Sequence, residues 1–204
     1  MHICYTLFIA LANNLDNIGV RIAYSIRGIK IPVLKNLWIS IITFLISTSA
    51  AYSGSIISCS LDRRLSSYFS MILLIAIGIW IIFGDTIKKH AGKLTKSAED
   101  KNINVLHILE NPEAADLDNS KVIDYKEATL LGIALSINNI GGGFSAGMIG
   151  LNSFFVGFLS AIISFIALWV GNYISGFFSK RNLGNKATIL SGIALILIGI
   201  KQIL

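Results

Sequence analysis

The chain has 204 residues, 54% hydrophobic and 14% charged, with a formal net charge of +6 and a mean hydropathy of +0.72. Soluble domains carry about 25% charged residues, so this composition argues against a soluble enzyme and for an integral membrane protein. The basic residues cluster between apolar segments and form no stripe with interleaved aromatics, so anionic lipid headgroups rather than nucleic acid explain them.

About 20 apolar residues cross the ~30 Å hydrocarbon core of a bilayer. Six segments reach that length, 3–26, 35–57, 66–86, 127–149, 152–178 and 185–203. Together they predict an all-α polytopic fold of six transmembrane helices. The first segment has no basic region before it and no small-residue cleavage site after it, and Arg21 lies inside it. It therefore reads as a retained span rather than a cleaved signal. At its centre stands Asp16, within Asn13-Asn14-Leu15-Asp16-Asn17-Ile18-Gly19. An ionisable side chain in hydrocarbon costs roughly 2.5–3.5 kcal/mol on insertion scales, which makes a functional site the default expectation. At about 100° per residue, Asn13, Asn14, Asp16, Asn17, Arg21 and Tyr24 share roughly 160° of helix surface, a polar face that should point into the bundle.

The connection 87–126 passes from basic to acidic along its length. Its end, Asp116 to Glu127, places oxygen-bearing residues in the order of an EF-hand loop. Asp116, Asp118, Ser120, Asp124 and Glu127 fall at loop positions one, three, five, nine and twelve, with the Val122 carbonyl at seven. Lys121 departs from the pattern, because position six is normally a glycine that lets the chain turn sharply. The competing reading is an acidic linker that caps the next helix.

The fourth segment carries a second polar island, Ser136, Asn138 and Asn139, followed by Gly141-Gly142-Gly143. Each glycine costs a helix interior about 1 kcal/mol relative to alanine. Three together imply either close backbone approach or a local break whose carbonyls could face a cation. Cys4 and Cys59 fit no metal-binding spacing and read as two unrelated thiols, although both should lie near one membrane face. His2, His90 and His107 all lie away from the centres of the spans, and no nucleophile–base or phosphate-loop motif is present. No enzymatic activity is expected.

The two halves align at an offset of about 122 residues. Leu15-Asp16-Asn17-Ile18-Gly19 falls on Ile137-Asn138-Asn139-Ile140-Gly141, and Ser53-Gly54 on Ser175-Gly176. Three spans per repeat is an odd number, so the repeats must insert in opposite senses, the 3+3 inverted plan of many secondary transporters. The expected organisation is a membrane repeat over 1–86, a cytoplasmic loop over 87–126 with its acidic segment at 116–127, and a second membrane repeat over 127–204. Lys and Arg crowd the first, third and fifth connections. Those connections should be cytoplasmic, with both termini outside.

Carboxylate and amide oxygens suit a hard cation such as Mg²⁺ or Mn²⁺. Asp16, Asn17, Asn138 and Asn139 are the candidate ligands of a transport site. Alternatively Asp16 exchanges a proton, since burial raises a carboxylate's pKa. Arg21 either balances the charge of Asp16, serves as a structural partner or snorkels to the headgroups. The loop residues Asp116, Asp118, Ser120, Val122, Asp124 and Glu127 are candidate ligands for Mn²⁺, Mg²⁺ or Ca²⁺.

These residues resemble a known family. Ala12-Asn13-Asn14-Leu15-Asp16-Asn17 in span one and Ala134-Leu135-Ser136-Ile137-Asn138-Asn139 in span four are similar to the MntP manganese efflux family of the lysine-exporter-like superfamily. Asn111-Pro112-Glu113-Ala114-Ala115-Asp116, Glu127-Ala128 and Asn138 to Gly143 resemble its YtaF branch of sporulation membrane proteins. The resemblance covers nearly the whole chain. It implies a bacterial inner-membrane protein that moves a small cation outward by alternating access around sporulation. MntP proteins usually place an Asp in both islands; here Asn138 occupies the second. The rival expectation is a non-transporting scaffold that engages other sporulation proteins in the bilayer. No cofactor is expected beyond a divalent cation.

Overall fold

The computed structural model describes residues 2–26, 28–62, 64–76, 79, 115–178 and 193. Six helices are found among them: α1 (His2–Asn14), α2 (Asp16–Ile26), α3 (Val33–Cys59), α4 (Arg64–Ala76), α5 (Tyr125–Met148) and α6 (Ser153–Phe178). No strand occurs among the described residues; a single parallel bridge joins Lys30 to Val122. Ile3–Ile22, Val33–Cys59 and Ser153–Gly171 are long and apolar enough to cross a membrane. At 27 residues, α3 is about 40 Å long, more than the hydrocarbon core requires. Although α5 has 24 residues, its Ser, Asn and Gly dilute it below that level of apolarity. The sixth expected span lies outside the described residues except for Ile193, and so do the second half of the third, except for Ile79, and the loop up to residue 114.

One expectation is corrected. The first span is not one helix: it breaks at Leu15, between α1 and α2. Asn and Asp compete with the helical backbone through their own side chains. Asn14 does so by donating Nδ2 to the Ala10 carbonyl at 2.8 Å. The amide of Ile18 then closes a tighter turn onto the Leu15 carbonyl at 3.3 Å. At Gly141-Gly142-Gly143 α5 runs on without a break; of the two alternatives left open there, close packing is the one found. Backbone and side-chain atoms of Ser47 and Ala50 lie so near Gly143 that a Cβ there would stand 3.0 Å from the Ser47 carbonyl. At Gly147 a Cβ would collide with the Ala51 carbonyl. This small-xxx-small spacing lets two helices approach without a hydrophobic drive between them.

Helix α3 is the hub, packing most extensively on α5 and also on α6, while α6 packs against α1 and α2. Along the α3–α5 seam, Trp38 meets Thr129, Thr43 meets Ser136 and Ala51 meets Gly147, so these helices run parallel. Asn17 meets Ser164 and Arg21 meets Gly171, so α2 and α6 are also parallel. Asn14 meets Asn139 whereas Asn13 meets Gly142, which makes α1 antiparallel to α5.

The polarity is that of a protein dissolved in lipid. Asn13, Asn14, Asn17, Thr43, Ser47 and Asn139 are buried, whereas Phe8, Leu34, Tyr52, Phe155, Ile166 and Trp169 are exposed. In water this arrangement would leave large apolar patches uncovered. In hydrocarbon it places the groups that need partners where partners exist.

Candidate functional site

Among the buried polar side chains, Asn14, Asn17, Thr43, Ser136, Asn139 and Ser164 form a ring. Asn14 is its most connected member. Its Nδ2 donates to Asn139 Oδ1 at 3.1 Å, and its Oδ1 accepts from Asn139 Nδ2 at 3.3 Å and from Asn17 Nδ2 at 3.2 Å. With the bond to Ala10, both donors and both acceptor positions of this amide are used. Asn17 Nδ2 also donates to Ser164 Oγ at 3.0 Å. Ser164 Oγ lies 3.5 Å from Thr43 Oγ1, which stands 3.0 Å from Ser136 Oγ and donates to the Ile39 carbonyl at 3.1 Å. Ser136 and Asn139 are three residues apart on α5, so the contacts close on themselves through α5, α3, α6, α2, α1 and back to α5.

Apolar clusters lie on both sides of this ring. On one side are Tyr24, Ile29, Ile39, Leu131, Leu135 and Leu168. On the other are Ile9, Ala12, Ala51, Ala146, Leu151 and Val156. Helices α3, α5 and α6 each pass from one cluster to the other, whereas α1 joins only the second and α2 only the first, so the polar layer lies between them. Buried polar groups in such a setting are strongly held when satisfied and costly when not.

Asn13 falls just outside the ring. It is 2% exposed, and neither Nδ2 nor Oδ1 has a hydrogen-bond partner. Its amide lies against Gly142, where any Cβ would collide with it. Arg21, also buried, donates Nη1 to the Ile29 carbonyl at 3.3 Å and lays its aliphatic stem on Gly171. Asp16 is the first residue of α2, and Asn138 is half-buried on α5.

The acidic loop is folded back on the bundle. Asp116, Asp118 and Glu127 bring carboxylate oxygens within 4.8 Å of one another. Asn119 and Lys121 adopt φ of 55° and 62°, so the chain makes at Lys121 the left-handed turn for which glycine is usual. Asp116 Oδ2 accepts from the Lys121 amide at 3.1 Å and Asp118 Oδ1 from the Ser120 amide at 2.9 Å. The hydroxyl and amide of Ser120 hold the Asp118 carboxyl below the usual carboxylate range. Ser120 Oγ also donates to the Val122 carbonyl at 3.0 Å. Asp124 and Glu127 form a capping box at the start of α5, with bonds of 2.8 and 2.9 Å. Glu127 Oε1 accepts from the Leu117 amide at 2.7 Å, drawing the front of the loop toward its end. The capping alternative is therefore realised together with the clustering of carboxylates. The loop docks through two bonds with Lys30, 2.8 Å from its amide to the Lys121 carbonyl and 3.0 Å from the Ile123 amide to its carbonyl. Ile123 and Ala115, both fully buried, complete the apolar cluster that bounds the ring on this side.

The chain is 30% identical over 216 residues to the "Probable sporulation protein YtaF" of Bacillus subtilis (strain 168), a match spanning 98% of this chain and 99% of that protein. Residues 104–204 match the family model Mntp, described as "Putative manganese efflux pump". The chain belongs to the MntP family. Within that family it is YtaF-like along its whole length. It is also 34% identical over 92 residues to "Putative manganese efflux pump MntP" of Methanocorpusculum labreanum, covering 43% of this chain and 47% of that protein. No solved structure matches it. With family membership and its apolar helices, this MntP-family chain is a membrane protein.

Of the residues expected at the transport site, Asn17 and Asn139 join one network through Asn14. Asn14, Thr43, Ser136 and Ser164 belong to it as well, though none had been assigned a ligand role. Asn14 and Ser136 were visible as members of the polar islands. Thr43 and Ser164 carry no signal in the sequence, because Ser and Thr inside membrane helices commonly bond their own backbone.

Proposed function

We propose that this chain is a carrier that moves a Mn²⁺-class divalent cation out of the cytoplasm by alternating access, and that it acts in a sporulating bacterium. Its proposed plan is six spans in two inverted repeats, inserted in the inner membrane with both termini outside. The ring of buried amides and hydroxyls carries this reading: a connected polar layer, contributed by both halves, between two apolar clusters. Uncharged oxygens of this kind suit a hard cation once a carboxylate supplies negative charge, and Asp16 is the proposed source. Asn17, Asn138 and Asn139 are the proposed neutral ligands. The parallel α3–α5 and α2–α6 pairs support the inverted plan, since a pseudo-two-fold axis exchanges one pair for the other. Manganese efflux in the names of the family model and of the archaeal relative supports the cargo, and the Bacillus relative's name supports the cellular setting. In alternating access the two apolar clusters would open in turn, and the ring would exchange its internal bonds for bonds to the cargo.

The acidic loop is proposed as a second divalent site. Three clustered carboxylates and the left-handed turn at Lys121 support it.

Rescue of Mn²⁺ sensitivity in an efflux-deficient bacterium tests the transport reading. Wild type should restore growth at toxic Mn²⁺. Asp16→Asn should fail to do so at equal membrane abundance, and Asn138→Asp should match or exceed wild type. Full rescue by Asp16→Asn would remove the proposed central ligand and favour a scaffold.

A further inference from the structure

Asn13 presents a specific anomaly. It is nearly fully buried, its amide oxygen and nitrogen both lack a partner, and the neighbouring Asn14 has every hydrogen-bonding position occupied. A buried amide without partners is among the costlier features a protein interior can hold, whereas an apolar side chain of similar shape would carry no such cost. Glycine opposite it is required: with any side chain at Gly142 the amide could not occupy its position. Two positions on different helices are thus matched to hold an unbonded amide one residue from the polar ring. Local departures of this kind are expected where function outweighs stability.

We infer that Asn13 is a cargo ligand held in reserve: its Oδ1 rests against Gly142 in the closed ring and turns toward a divalent cation when one enters. The inference rests on the transport reading above. The ring's own oxygens argue for it. Asn14 Oδ1 accepts two bonds and Asn139 Oδ1 one, so each must give up a bond within the ring to serve a cation. Asn13 Oδ1 gives up none. A cation entering the polar layer would therefore find an available neutral oxygen at Asn13. Gly142 is the positioning residue, since it leaves room for the amide to be withdrawn.

The test uses full-length protein in detergent, with MnCl₂ as the probe. Melting temperature is measured with and without Mn²⁺ for wild type, Asn13→Leu, Gly142→Ala and Asp16→Asn, and Mn²⁺ efflux is measured in vesicles. Wild type should show a Mn²⁺-dependent rise in melting temperature. Asn13→Leu should melt at or above the wild-type temperature without Mn²⁺, because an unpartnered amide has been removed. It should nevertheless lose most of the Mn²⁺-dependent rise and need at least tenfold more Mn²⁺ for half-maximal efflux. Gly142→Ala should weaken Mn²⁺ binding in the same direction while leaving Asn13 in the sequence. If Asn13→Leu keeps the full Mn²⁺ response, Asn13 is no ligand and a bound water accounts for its amide; the transport reading then stands. If wild type itself gives no Mn²⁺ response and Asp16→Asn is indistinguishable from it, the transport reading fails and the inference with it.

Discussion

Asn14 and Asn139 form a reciprocal side-chain pair that joins the first half of the chain to the second. Each amide is both donor and acceptor to the other, at 3.1 and 3.3 Å. Removing one partner leaves the other buried with unmet bonds, whereas removing both leaves an apolar contact. Asn139→Leu alone should therefore lower stability by about 1–3 kcal/mol. The double replacement of Asn14 and Asn139 by Leu should cost less than the two single replacements added together. Interhelical bonds inside membrane proteins average about 0.6 kcal/mol and reach about 1.7 kcal/mol, so the coupling should fall in that range. Unfolding in mixed micelles, run as a double-mutant cycle, measures it directly. Strict additivity would mean that the pair does not form in the folded protein. Asn14 also has a local role through its bond to Ala10, so Asn14→Leu should cost more than Asn139→Leu.

At the level of elements, the distance between what was legible and what was found follows from the range of the interactions involved. Helices α3 and α6 lie within two residues of the bounds expected for spans two and five, because length and apolarity are local properties. Lys121 read as a departure from the EF-hand order, yet the chain makes the left-handed turn there even though the residue is not glycine. The break at Leu15 was not anticipated. Gly141-Gly142-Gly143 looked the better candidate, since glycine is the weaker helix former. Packing against α3 and Asn13 overrides that propensity in α5, while Asn14 captures a carbonyl in α1 and interrupts the first span. Docking of the acidic loop on Lys30 was equally hidden, because nothing local marks Lys30 as its partner. The loop's proposed metal site can be tested by isothermal titration of Ca²⁺, Mg²⁺ and Mn²⁺ into detergent-purified protein. Asp116→Ala should abolish one binding event, leaving any binding at the ring intact. An unchanged heat at millimolar ion would reduce the loop to a helix cap and a covering for the apolar cluster below it.

For the whole molecule, the proposed sense of insertion rests on what collects at each end of the bundle. Cys4 in the first turn of α1 and Cys59 at the end of α3 share one end, because α1 and α3 are antiparallel, and both thiols are free and exposed. At the other end stand Lys30, Lys35, Lys121 and Lys126 together with an interfacial aromatic group. Trp38 donates Nε1 to Thr129 Oγ1 at 3.0 Å and meets the Tyr125 ring edge-on at 6.3 Å, while Lys35 Nζ sits 3.5 Å from the centre of that ring. Amphipathic aromatics with snorkelling lysines belong at a headgroup layer. An excess of Lys and Arg at that end is the basis for proposing it as the cytoplasmic one. A membrane-impermeant maleimide added to intact cells should therefore label Cys4 and Cys59. In a protein with both replaced by Ser, a cysteine introduced at Lys30 or Lys121 should react only after the membrane is permeabilised. The reverse pattern would turn the molecule over, place the acidic loop outside the cell and make the proposed cytoplasmic divalent site untenable. A mixed pattern, with Cys4 and Cys59 reacting from opposite sides, would contradict the antiparallel relation of α1 and α3 and with it the ring that closes between them.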